Sequence, residues 1–320
     1  MTTTTPARPT APPAVRRRRP GASRRQGAPW AFLAPAIVLF VLVLALPIAY
    51  AVYLSFRTEK VSGLGLGSGS RTEVWNGFAN YAASLADPEF LASVGRVALY
   101  GVIVVPTMLG LALLFALLLD SRRSRATKFS RVSIFLPYAV PAVISSLLWG
   151  FLYLPGVSPF YYVFDRLGWD VPSLFSSNLV IFAVANIAVW GGVGFNMVVI
   201  YTSLRAIPSE LYEAAELDGC TQVGMAWRIK IPIVVPSIIM TFVFSMIATL
   251  QVFAEPTTLK PLSNTISSTW TPLMKVYRDA FIRGDLYSAA ATSVIIAVAT
   301  FVLSFGFLRL VQSRAFGQEK

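Results

Sequence analysis

Six long apolar blocks, almost free of charge, dominate the pattern of this chain. They cover residues 30–56, 97–119, 132–153, 179–204, 231–254 and 286–308. A membrane-spanning helix needs about 20 mostly apolar residues, because the hydrocarbon core is roughly 30 Å thick. Each block meets that length, so the pattern predicts six transmembrane helices in an all-α polytopic membrane protein. Pro35, Pro47, Pro106, Pro137, Pro141, Pro232 and Pro236 fall inside blocks. Proline is tolerated there when neighbouring helices satisfy the freed backbone groups, so the expected bundle is kinked.

Composition agrees. Of 320 residues 55% are hydrophobic and 13% charged, against about a quarter charged in globular chains, and the mean hydropathy is +0.64. One cysteine and no histidine exclude a disulfide framework, Cys- or His-based metal sites and Ser-His-Asp chemistry. No phosphate-cradling GxxxxGK[ST] is present. The Gly/Ser run at 62–70 fails GxGxxG, because Ser68 or Ser70 stands where the last glycine belongs, and reads as a flexible linker. The chain is not expected to be an enzyme or to bind a metal or cofactor.

An even number of spans puts both termini on one side. The amino-terminal tail, the 120–131 and 205–230 loops and the carboxy-terminal tail hold 18 of the 27 Lys and Arg. The positive-inside rule makes that side cytoplasmic, and it absorbs the net charge of +12 without invoking nucleic acid. Residues 1–29, rich in Thr, Pro, Ala and Arg, read as a disordered basic cytoplasmic tail. Residues 30–311 form the membrane domain, and 312–320 a second cytoplasmic tail. A cleaved signal peptide is disfavoured, since the first block exceeds the 7–15 residues of such a segment.

Ion-driven carriers place ionisable side chains within the membrane. The cores of the six blocks hold none beyond Tyr and Cys types. Glu255 and Asp285 stand at block ends and read as interfacial anchors. Energy for uphill transport would then come from a partner protein.

The loop between blocks four and five carries the strongest local signal. Residues 207–236 read IPSELYEAAELDGCTQVGMAWRIKIPIVVP. Pro208 and Ser209 make a helix start with Ser209 as N-cap, Glu210 suits the positive end of the dipole, and Gly219 suits a left-handed stop. The expected helix covers 210–218, with a second short stretch from Thr221 toward Trp227. So short a helix is marginal in water and needs a surface to pack on. Its Glu210, Glu213 and Glu216 face argues against anionic lipid and for a cytoplasmic protein with a basic rim.

Glu213-Ala214-Ala215, three residues, Gly219, nine residues, then Ile229-x-Ile231-Pro232 resembles the EAA signature of binding-protein-dependent ABC importer permeases. It departs from that signature at Ile231, where the family has Leu. Residues 31–56 (AFLAPAIVLFVLVLALPIAYAVYLSF) and 136–153 (LPYAVPAVISSLLWGFLY) are similar to the carbohydrate-uptake branch, the maltose and glycerol-phosphate type. The resemblance implies the ABC importer permease fold in the plasma (inner) membrane. It also implies an ATPase dimer that binds ATP and Mg, a second permease and an extracytoplasmic solute-binding protein. The 205–230 loop would be the coupling helix. Glu213, Ala214, Ala215, Asp218, Gly219, Ile229 and Pro232 would form its docking element, with Glu213 pairing a basic groove residue.

Sugars are held by hydrogen bonds and aromatic faces. In block four, Trp190, Gly191, Gly192, Phe195 and Asn196 are candidate solute contacts. In block five Ser245 and Thr249 share a face, with Gln251 nearby. Helix packing competes as the reading for the small residues. The solute would be a sugar or oligosaccharide, with a sugar alcohol or glycerol phosphate as alternatives. A stand-alone carrier or channel is the competing class.

Overall fold

The computed structural model describes residues 27–61, 71–121 and 127–315. The basic tail before residue 27, the 62–70 linker, residues 122–126 with Arg122, Arg123 and Arg125, and residues 316–320 lie outside the described residues. Two compact units are distinguished, Met1–Tyr50 and Ala51–Lys320.

In the first unit, α1 (Gly27–Phe40) runs through a π turn (Val41–Ala45) into α2 (Leu46–Ser55), the last residues of which open the second unit. Trp30–Ser55 is 26 residues of apolar helix, long enough to cross a bilayer. The π turn closes one residue ahead of Pro47. Pro47 has no N–H for the ladder and its ring crowds the preceding turn, so the wider π turn absorbs the misfit.

The second unit begins with an antiparallel hairpin, β1 (Arg57–Val61) and β2 (Arg71–Trp75), with Arg57 opposite Trp75 and Glu59 opposite Glu73. The sequence reading had only a linker here. Phe56 stacks on Trp75 with centroids 5.4 Å apart. From α3 (Ala79–Ala86), Asn80 donates to the carbonyls of Ser55 and Arg57 at 2.9 and 2.7 Å.

The second membrane helix, α4 (Pro88–Asp120), starts nine residues before the block did. Asp87 caps it, accepting from the Glu89 amide at 2.8 Å, and Pro88 occupies the first helical position. At 1.5 Å per residue its 33 residues reach about 50 Å. Its principal neighbour is α8 (Val180–Arg205), which coincides with block four to one residue.

The third span is not one helix. α5 (Thr127–Phe135) continues as a 3-10 turn (Leu136–Ala139), and α6 (Ala142–Tyr153) leaves it at 97°. Val140 before Pro141 is extended, with φ −82° and ψ 125°, as the clash with the proline ring requires. Beyond a short α7 (Pro159–Arg166) and α8 come α9 (Ser209–Leu217), α10 (Gln222–Met225) and a π turn (Ala226–Lys230) that leads into α11 (Ile231–Leu250). As at Pro47, this π turn sits just ahead of a proline, Pro232.

Helix α11 itself ends at Leu250, four residues before the block did. The chain breaks at Phe253, with φ −145° and ψ −49°, and resumes as α12 (Ala254–Leu259). α13 (Pro272–Tyr277) and a π turn (Arg278–Ile282) precede α14 (Leu286–Ala315). Among the described residues five helices are long and apolar enough to cross a membrane, and six if the bent pair is one broken span.

The core lies along the α4–α8 seam. Tyr100, Val104 and Met108 meet Val180, Val184 and Ile187, with Leu259, Trp270 and Met274 closing one end. Farther along, Ala112 and Ala116 meet Met197, Ile200 and Leu204. These alanines are fully buried, and small residues let membrane helices approach closely. Val102, Phe182 and Phe301 point outward and are exposed, a lipid-facing side for a chain with no aqueous reason to hide them.

Candidate functional site

The carboxy-terminal end of α4, the carboxy-terminal end of α8 and the start of α11 meet where the 205–230 loop emerges. α9 begins at Ser209 with Pro208 in the N-cap position, and no side chain caps it. The expected Ser209 cap is therefore corrected: Pro208 is extended at φ −57° and ψ 140° and sets the entry by itself. The helix stops at Leu217, and Gly219 is left-handed at φ +75°. The Gly219 amide bonds to Glu216 O and the Cys220 amide to Ala215 O at 2.9 Å, satisfying the last carbonyls. Thr221 caps α10, accepting from the Gly224 amide at 3.2 Å.

Ala215 is buried, whereas Glu213, Ala214, Asp218 and Gly219 are exposed. Ile229 is half-buried and Pro232 exposed. Leu217, Val223 and Trp227 are 89%, 69% and 69% exposed. The loop thus presents apolar side chains beside carboxylates on a surface that folding of this chain leaves uncovered.

Tyr212 holds the loop to the bundle. Its hydroxyl donates to Leu204 O at 3.3 Å, and the Lys230 ammonium lies 4.9 Å from its ring centroid. Lys230 also pairs with Asp120 at the end of α4, Nζ to Oδ2 2.6 Å, both side chains being buried. Arg205 reaches Asp120 at 4.0 Å from an exposed position. Burial, then the Asp120 charge, push the Tyr212 phenol up to about 12, so it remains a neutral donor. Sequence reading missed this anchor; Asp120 and Lys230 stood there only as the charged limits of two blocks.

A cavity of about 980 Å³ opens between α4, the α5–α6 bend, α8, α11 and α12. Gly191, Gly192, Phe195, Asn196, Ser245, Thr249 and Gln251 all line it. Trp190 is not among the lining residues and instead meets Trp149 edge-on at 5.9 Å. Several of the lining groups are already engaged. Asn196 Nδ2 donates to Gly192 O at 2.9 Å and contacts Met108 Sδ at 3.1 Å, while Ser245 donates to Asn196 Oδ1 at 3.4 Å. Thr249 donates to Ser245 O at 2.7 Å. Asn196 and Ser245 therefore brace α4, α8 and α11 together. Tyr138 and Phe195 stack at 5.1 Å and add an aromatic wall.

Glu255 corrects an expectation. It lines this cavity rather than anchoring an interface, and stands just past the break at Phe253 that separates α11 from α12. Asp285 is exposed, and its carboxylate accepts from the Ser288 amide at 3.0 Å at the start of α14.

At the other end of α4 lies an ion cluster that the sequence did not announce. Asp279, buried, takes Lys275 at 2.5 Å, Arg278 at 2.9 Å and Arg283 at 3.5 Å. Lys275 also reaches Asp87 at 3.0 Å, and Arg278 reaches Glu89 at 2.7 Å.

A profile of the family described as "Binding-protein-dependent transport system inner membrane component" matches residues 65–317. The sn-glycerol-3-phosphate transport system permease protein UgpA of Brucella abortus biovar 1 (strain 9-941) is 31% identical over 292 residues, 89% of this chain and 95% of that protein. The protein of the same name from Escherichia coli O157:H7 is 27% identical over 295 residues, 91% of this chain and 96% of that one. A chain of the bacterial alginate ABC transporter, crystallised with an alginate pentasaccharide-bound periplasmic protein, superposes with a TM-score of 0.76 at 20% identity, covering 90% of this chain and 94% of that chain. The chain belongs to the family of binding-protein-dependent transport system inner membrane components: it is an integral inner-membrane permease of an ABC importer.

Proposed function

We propose that this chain forms half of the translocation pathway of an ATP-driven carbohydrate importer and is driven through its 205–230 loop. The observation that carries the reading is the state of that loop: a short helix, anchored to the bundle by Tyr212 and Lys230, with Leu217, Val223 and Trp227 exposed beside Glu213. An apolar groove with a basic rim on an ATPase subunit fits that face. Glu213 supplies the ion pair, Ala214 allows close approach, Ala215 packs inward and Gly219 makes the turn. Both termini are then cytoplasmic, in keeping with the distribution of Lys and Arg. A second permease completes the pathway around the cavity, and an external binding protein delivers the solute. ATP and Mg belong to the ATPase.

Relatives named as glycerol-phosphate permeases and a fold shared with an alginate transporter support a polyhydroxylated solute. The test is purification of the tagged chain from its native membrane in mild detergent, with mass spectrometry of what is retained. An ATPase subunit and a second permease are expected with the wild type, and the ATPase is expected to be lost from Glu213→Lys. Recovery of the ATPase with that variant in undiminished amount overturns the docking role of the loop.

A further inference from the structure

The cavity wall contributed by this chain holds one carboxyl group. Of the residues that line it none is Lys or Arg, and Glu255 is the sole ionisable group apart from tyrosine phenols. Among the described residues no cation pairs with Glu255. The hydroxyl hydrogens of Ser145, Ser245 and Thr249 are committed to Pro141 O, Asn196 Oδ1 and Ser245 O. With Ser245 able to donate to Met108 Sδ as well, these oxygens keep lone pairs free to accept, Glu255 adds two carboxyl oxygens, and the Tyr138 phenol and Gln251 amide stand among them as donors. The wall is thus rich in acceptors and has no cation.

Such a wall fits a solute that brings many O–H donors and no charge. A phosphate or carboxylate is recognised by cationic or multiple N–H donors, and here it would meet a carboxylate in a space partly screened from water. The stacked Tyr138 and Phe195 rings offer a face for the C–H surface of a sugar ring. We infer that Glu255 is a specificity determinant, selecting an uncharged polyhydroxylated solute against phosphate esters, in contrast to what the names of the UgpA relatives denote. This rests on the importer reading above.

Two measurements test it. Cells with and without this chain are fed a defined mixture of neutral mono- and disaccharides, sugar alcohols, amino sugars and sn-glycerol-3-phosphate, and chain-dependent depletion of the medium is followed by mass spectrometry. Depletion confined to uncharged compounds is expected. Depletion of a charged compound overturns the inference and leaves the importer reading standing; depletion of nothing removes the carbohydrate reading and the inference with it. The complete importer is then reconstituted with the depleted solute, and Glu255→Gln is compared with wild type. Solute moved per ATP is expected to fall about tenfold, with binding-protein-stimulated ATP hydrolysis kept within about twofold. An unchanged ratio overturns the role of Glu255. An equal fall in transport and hydrolysis also overturns it, since that marks a structural defect.

Discussion

At the residue scale Gly194 and Gly191 of α8 separate packing from cavity lining. A Cβ on Gly194 would lie 2.4 Å from Ile134 O and 2.7 Å from Phe135 Cα, both backbone atoms that cannot yield. On Gly191, which lines the cavity, a Cβ meets nothing within 4 Å. Gly194→Ala is expected to lower stability by about 1–3 kcal/mol and Gly191→Ala by less than about 0.5 kcal/mol, read as melting temperatures in detergent. Equal melting of the two variants would refute the close approach of α8 to the end of α5. Both glycines looked alike in the sequence, each a small residue that could serve a helix contact or a solute. What differs is the neighbouring backbone, the end of α5, from a segment more than 50 residues away, and no local pattern in α8 encodes it.

At the element scale the 205–230 loop acts as one piece with the membrane helices because Asp120, Lys230 and Tyr212 join α4, α11 and α9. Removing one partner of a buried pair leaves an uncompensated charge and costs about 3–5 kcal/mol, and the exposed Arg205 at 4.0 Å is a weak substitute. Lys230→Met is therefore expected to melt well below wild type, and Asp120→Asn with Lys230→Met to recover most of the loss. A double variant no better than the single one would contradict the pairing. The loop helix, its glycine stop and its second short turn were legible because capping and turn chemistry are local. The anchor was not, since its two charges stand 110 residues apart and each looked like an ordinary end of an apolar block. Glu255 was misplaced for a related reason: hydropathy locates where an apolar run ends, not which surface the residue there lines.

At the scale of the whole molecule, α4 links two polar assemblies at opposite ends, about 50 Å apart by its length. One is the Asp120–Lys230 anchor. The other is the Asp279 cluster, which ties the segment between α12 and α14 to the start of α4. Asp87 belongs to that cluster. Partial burial raises its pKa, but Lys275 and the Glu89 amide outweigh this and hold it below the ordinary carboxylate range. A depressed carboxylate contributes stability that is fully present above its unfolded pKa and is lost as pH falls through its folded one. Melting temperature is thus expected to hold from pH 7 to 5 and to drop below about pH 4, with a smaller drop in Asp87→Asn. An identical acid profile in the variant would remove Asp87 from the account.

The number and order of the spans were readable because the bilayer imposes one length on every crossing. The bent third span and the hairpin before α3 were not, since each depends on how neighbouring segments meet. Under the proposed coupling this permease works only when an ATPase moves its loop. The most direct measurement is solute uptake into vesicles carrying the complete importer, with and without ATP, for wild type and Glu213→Lys present at equal levels. Uptake is expected by wild type with ATP, and none above background without it or in the variant. Equal uptake by wild type in the absence of ATP would contradict the coupling.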